Sequence, residues 1–180
     1  MAVVHAEDSV DLRSYVRDIP DFPTPGILFR DITPLLLDPD ALDAAVARLT
    51  HYARDLEIDI VVAAEARGFI LGGALARSLH AGFVPARKPG KLPHETVSAA
   101  YTLEYGVNAL EMHADAFAGG TRVLIHDDLL ATGGTARALA ELVGRLGGEV
   151  KACVFLAELE VLEGRKQLEG YQVHSLINYE

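Results

Sequence analysis

The run VLIHDDLLATGGTARALAELVGRL, from Val123 to Leu146, constrains this chain more than any other stretch. It opens as an apolar β-branched segment and ends with Leu139, Leu142, Val143 and Leu146 at helical spacing. A strand, a short loop and a helix in that order make half of a βαβ unit, which commits its neighbourhood to a parallel sheet. Two adjacent carboxylates, Asp127 and Asp128, stand where the apolar segment ends, and Ala131-Thr132-Gly133-Gly134-Thr135 follows them.

Glycines let backbone N–H groups approach an anion closely. A helix start offers unpaired N–H groups and about half a positive charge. Thr132 and Thr135 add hydroxyl donors, so the loop suits a phosphate. The carboxylates do not suit that same phosphate. They are acceptors, suited to vicinal hydroxyls or to a metal ion carried by them. A sugar phosphate satisfies both halves. The GxxxxGK[ST] pattern of nucleoside-triphosphate P-loops is absent.

The same alternation runs through the chain. The stretch up to Asp18 reads as a short amphipathic helix, and DIPDFPTPG as irregular. ILFRDITPLL reads as partly extended, and Pro34 to Pro39 as a turn region. Helices are predicted at Ala41–Leu56, Leu71–Leu79, Thr135–Leu146 and Leu162–Leu168. Strands are predicted at Ile58–Ala64, Phe83–Ala86, Val123–Ile125, Val150–Ala157 and Val173–Ile177. Residues 95–113 alternate at period two and read as an extended arm or hairpin. The expected architecture is one α/β domain over 1–180, with a central, mostly parallel sheet flanked by helices in a Rossmann-like manner.

Charge excludes some functions. The net charge is −10, from 16 Lys and Arg against 26 Asp and Glu, which argues against nucleic-acid partners. The N-terminal residues do not read as a signal peptide, and no apolar stretch approaches the ~20 residues that span a bilayer. A cytoplasmic protein without membrane partners is expected. The single Cys153 lies in an apolar strand and reads as a core residue. Against the acidic background, Arg87, Lys88 and Lys91 cluster in ARKPGKLP, and Arg67 stands in EARGF. Both segments follow predicted strands, which makes them a candidate second anion site.

HDDLLATGGT resembles the phosphoribosyl-diphosphate (PRPP) loop of the type I phosphoribosyltransferases. FPTPGILFRDITPLL, AEARGFILG, ARKPGKLP, ETVSAAYTLEYG and the terminal NYE extend the likeness over nearly the whole chain, toward the adenine-specific members. The resemblance implies transfer of the 5-phosphoribosyl group of PRPP to adenine, giving AMP and diphosphate, in purine salvage. It implies a hood from residues 1–34 on the purine side and a flexible lid from 95–113. It implies that Asp127, Asp128 and residues 131–135 hold the ribose and 5′-phosphate. Glu65, Ala66, Arg67, Arg87, Lys88 and Lys91 would hold the diphosphate, with a non-proline cis peptide in the 65–68 loop.

Leu28, Phe29, Arg30 and Leu159 would hold adenine, and Glu104 and Tyr105 would approach the substrates from the lid. Glu104, Arg67, Asp127 and Asp128 are the catalytic candidates. The resemblance also implies a homodimer in which Arg87 acts across the interface. Mg²⁺ is expected on the substrate diphosphate rather than on protein ligands. His126 stands where the family usually has an aliphatic residue and reads as a tolerated substitution; His94 is given no role. Two rivals remain at this stage: a PRPP-dependent transferase for another purine, and a non-catalytic PRPP-sensing regulator.

Overall fold

The structure is a computed structural model and describes residues 10–103 and 106–180. It divides into two compact units, Met1–Arg48 and Leu49–Glu180.

In the first unit, β1 (Arg17–Pro20) and β2 (Leu28–Asp31) form an antiparallel hairpin in which Ile19 faces Phe29 and Pro20 faces Leu28. Phe22 meets Phe29 edge-on at 5.1 Å, and Arg30 is paired with Asp18. A helix reading up to Asp18 therefore needs correction. Among the described residues there, only the 3-10 turn Leu12–Tyr15 is helical, and Arg17–Pro20 is strand. The turn reading at Pro34–Pro39 also fails, because α1 (Thr33–Leu37) occupies most of it. Pro34 stands in the first helical turn, where its missing N–H costs no intrahelical bond.

The second unit is built on a five-stranded sheet. Its strands are β3 (Ile60–Ala64), β4 (Gly82–Ala86), β7 (Arg122–Leu130), β8 (Glu149–Leu159) and β9 (Val173–Tyr179). They lie in the order β4-β3-β7-β8-β9 and every pairing is parallel. On one face, Leu49 and Ala53 of α2 (Pro39–Ala53) and Leu75 and Ala76 of α3 (Gly68–Ser78) cover Val61, Leu124, Ala152 and Val154. On the other, α4 (Gly134–Arg145) packs Ala136, Leu139, Leu142 and Val143 onto Val62, Ile125, Cys153 and Phe155. Each such aliphatic side chain taken from water stabilises the fold by about 1.5–3 kcal/mol.

The expected arm is a hairpin of β5 (Thr96–Leu103) and β6 (Gly106–His113). Its root joins the core through buried Ala99, Leu110 and Met112. Arg145 of α4 also donates to the Ser98 carbonyl. The stretch read as a helix at Leu162–Leu168 is two 3-10 turns, Glu160–Leu162 and Gly164–Leu168. Among the described residues, no helix is long and apolar enough to cross a membrane.

Candidate active site

The acidic pair lies differently from the sequence reading. β7 does not stop at Ile125 but runs on to Leu130, so Asp127 and Asp128 are strand residues. Pairing with β3 ends at His126, while pairing with β8 continues through Asp127 opposite Phe155. The aspartates thus protrude past the end of one neighbour while the other fixes their backbone.

Asp127, Leu129, Leu130, Ala131, Thr132, Gly133, Gly134 and Thr135 line one pocket of about 120 Å³, closed by Ala136 and Phe155. The pocket thus joins a carboxylate to the hydroxyl- and glycine-rich loop. Gly133, at φ 82°, turns the chain into α4, and no side chain caps that helix. Its first N–H groups are not used by a cap, an arrangement compatible with the anion site expected from the loop composition.

Gly68 opens α3 directly behind the acidic pair. A Cβ there would lie 2.8 Å from the Asp127 Oδ1 and 3.3 Å from its Cα, so only glycine lets α3 start this close. The sequence reading placed Gly68 only in the 65–68 cis-peptide loop and gave it no role beside Asp127. Its position after Arg67 at the head of a helix was the available signal. The Asp127 side chain also accepts from the Asp128 N–H at 2.9 Å.

Electrostatics set the pair apart. Burial pushes the Asp127 carboxyl well above its ordinary range, and the Asp128 charge beside it adds to the effect. Burial raises Asp128 as well, while the Arg67 guanidinium opposes it. Arg67 Nε reaches Asp128 Oδ2 at 2.7 Å. Two crowded carboxylates of this kind favour a partner that donates hydrogen bonds or carries positive charge. A diol or a hydrated cation meets that need.

The segments expected to form a second anion site hold paired charges. The Glu65–Ala66 peptide is cis, as the resemblance implied. Arg87 forks onto Glu65, with Nε to Oε2 at 3.0 Å and its terminal nitrogen to Oε1 at 3.2 Å, and donates to the Lys91 carbonyl at 3.1 Å. The Lys88 N–H also donates to Glu65, at 3.2 Å. The Arg87 hydrogen bond, more than burial resists it, holds the Glu65 carboxyl below its ordinary value. Backbone bonds between Arg87 and Glu111, at 2.9 and 2.7 Å, tie the basic loop to β6. Lys88 and Lys91 are exposed.

Of the purine-side residues, Leu28, Phe29 and Arg30 follow one another on β2, and Leu159 closes β8. Glu104 and Tyr105 lie outside the described residues. His126 is fully buried. Its Nδ1 donates to the Val154 carbonyl at 3.0 Å, its Nε2 has no partner among the described residues, and burial pushes its pKa down to about 4. It is a neutral core residue lying against Gly72 of α3.

A phosphoribosyl transferase domain profile matches residues 36–176. The adenine phosphoribosyltransferase of Rubrobacter xylanophilus is 59% identical over 169 residues, covering 93% of this chain and 91% of that protein. That of Thermotoga maritima is 58% identical over 170 residues, covering 94% and 98%. The crystal structure of adenine phosphoribosyltransferase from Thermoanaerobacter pseudethanolicus superposes with a TM-score of 0.91 at 52% identity, over 93% of this chain and 98% of that one. The APRTase from Giardia lamblia complexed with 9-deazaadenine gives 0.90 at 39% identity, over 94% and 97%. Matched along most of its length in sequence and in fold, the chain belongs to the phosphoribosyltransferase family, among the adenine phosphoribosyltransferases.

Proposed function

We propose that this chain transfers the 5-phosphoribosyl group of PRPP to adenine, releasing AMP and diphosphate, as a purine-salvage enzyme. The observation that carries the reading is the shared pocket in which Asp127 faces the 131–135 loop. A phosphate monoester in the loop sets a pentose beside the acidic pair, so binding energy remote from the reacting carbon positions it for attack.

Departure of diphosphate develops positive charge on the ribose. Asp127 and Asp128 hold the diol and lie next to that charge, where fixed acceptors lower the barrier. Arg67, Arg87, Lys88 and Lys91, with the backbone of Glu65 and Ala66, take the leaving diphosphate. The carboxylate partners of Arg67 and Arg87 are exchanged for phosphate oxygens as substrate binds. Mg²⁺ enters as part of the substrate, bound to the diphosphate and keeping most of its waters. The donor set supports this, because Asp127 lines the pocket and Asp128 next to it pairs with Arg67.

Adenine recognition falls to Leu28, Phe29, Arg30 and Leu159. A backbone acceptor for the 6-amino group would face an oxo group in hypoxanthine, leaving polar atoms unpaired. Glu104 serves proton transfer at the purine, and Tyr105 closes the arm against water. A cytoplasmic homodimer, in which Arg87 serves the partner's site, completes the proposal. Its support is the family likeness.

The test is direct. Purified protein is given PRPP, Mg²⁺ and adenine, hypoxanthine or guanine, and nucleotide formation is followed. AMP is the expected product. Preferred turnover of another purine, or binding of PRPP without turnover, would overturn the reading.

A further inference from the structure

The 3-10 turn Gly164–Leu168 lies directly against the phosphate loop. A Cβ on Gly164 would stand 2.2 Å from the Ala131 carbonyl oxygen and 3.1 Å from the Gly133 nitrogen. In return, a Cβ on Gly133 would stand 2.3 Å from the Gly164 carbonyl oxygen. Real Cβ atoms do not approach backbone this closely, so two main chains touch here through a pair of glycines. The contact is on the loop itself, one residue before α4 begins.

The turn has its own anchor. Glu158, near the end of β8, is 2% exposed. Arg165 forks onto it, Nε to Oε1 at 2.8 Å and a terminal nitrogen to Oε2 at 2.7 Å, and also donates to the Val173 carbonyl at 3.0 Å. The Ser175 hydroxyl donates to Glu158 Oε2 at 2.7 Å. Burial works to raise the Glu158 carboxyl, yet the Arg165 and Ser175 hydrogen bonds hold it below its ordinary value. A buried charge with both oxygens satisfied fixes geometry in a way that an exposed pair does not. Arg165 is thereby held between β8 and β9, and the residue before it is the one that meets the loop.

We propose that Gly164, fixed through the Arg165–Glu158 fork, is a positioning element for the 5′-phosphate. It forms a rigid backbone floor under Ala131–Gly133 and so sets where the loop's N–H groups point. This rests on the reading of residues 131–135 as the phosphate loop.

The experiment measures inhibition by AMP and by adenosine, which differ by the 5′-phosphate, together with KM for PRPP and for adenine. Gly164→Ala is expected to raise KM for PRPP about 100-fold, since a displacement near 1 Å costs that much, and to lower the AMP-to-adenosine affinity ratio by a similar factor. KM for adenine stays within about twofold. Arg165→Lys keeps the charge but loses the fork, and should shift the same ratio about tenfold.

Thr135→Ala serves as the reference for the loop. If it lowers the ratio while folded Gly164→Ala and Arg165→Lys leave it unchanged, the floor is refuted and the loop reading stands. If Thr135→Ala leaves the ratio unchanged, the loop reading falls and this inference with it. Equal loss of AMP and adenosine binding in the Gly164 and Arg165 variants also refutes the floor. Should Gly164→Ala fail to fold, Arg165→Lys and Glu158→Gln decide by the same ratio.

Discussion

The two proposed anion sites of this molecule are built on opposite principles. The loop at 131–135 contains no charged residue and works through backbone geometry, with a glycine at φ 82° and an uncapped helix start. The diphosphate side is made of charges, and its arginines are already engaged: Arg87 with Glu65 and Arg67 with Asp128. Under the proposed function, the first site has no ion pair to break before it takes a monoester. The second must exchange partners, so its affinity depends on competition between carboxylate and phosphate. The difference matches the proposed chemistry, in which the 5′-phosphate stays in place while the diphosphate leaves.

Breaking the link between the two sites should have the largest effect. Asp127→Asn and Asp128→Asn should each lower kcat/KM about 1,000-fold while circular dichroism shows an intact fold. Normal turnover in both would remove their assigned role. Asp127 carries an added check. Its folded pKa lies above the ordinary 3.8, so the folded state holds the proton more tightly and stability declines as pH rises through the folded value. Asp127→Asn removes that decline, which denaturant titrations across pH will reveal. The acidic limb of wild-type activity should likewise lie above 3.8.

Next comes the charged site. Arg67→Ala should cost about 100-fold in kcat/KM and flatten the salt dependence of KM for PRPP, because it removes a screenable charge. Thr135→Ala sharpens the contrast. It should raise KM about tenfold, with the salt slope unchanged. Equal slopes in the two variants would erase the distinction drawn between the sites.

The smallest effect is expected at His126. Its pKa falls to about 4 from an ordinary 6.5, so the folded state binds fewer protons and stability is lost as pH falls from 6.5 toward 4. His126→Leu should change stability at pH 7 by only about 1 kcal/mol, since it loses one hydrogen bond and a stranded nitrogen together. It should also make the acid loss shallower. Urea unfolding at pH 7 and pH 5 checks both.

Much of this was legible in the residues. Ile60–Ala64, Gly82–Ala86 and the arm hairpin follow from local pattern, because strand and helix periods differ and burial enforces them. The turn at Gly133 was readable for the same local reason. The length of β7 was not. Acidic residues rarely extend a buried strand, and only pairing with β8 carries Asp127 and Asp128 into the sheet. The hairpin at Arg17–Pro20 was missed because its partner strand, Leu28–Asp31, supplies the hydrogen bonds that its own sequence does not advertise.

By itself the sequence determined the alternation of elements, the parallel sheet and the chemistry available to each loop, since these depend on neighbours three or four residues away. The tertiary structure alone decided which groups meet: Arg67 on Asp128, Gly68 behind Asp127, and Gly164 under Gly133. Such contacts join residues far apart in the chain, and their closeness is set by how helices and turns pack on the sheet, a quantity that no local pattern encodes.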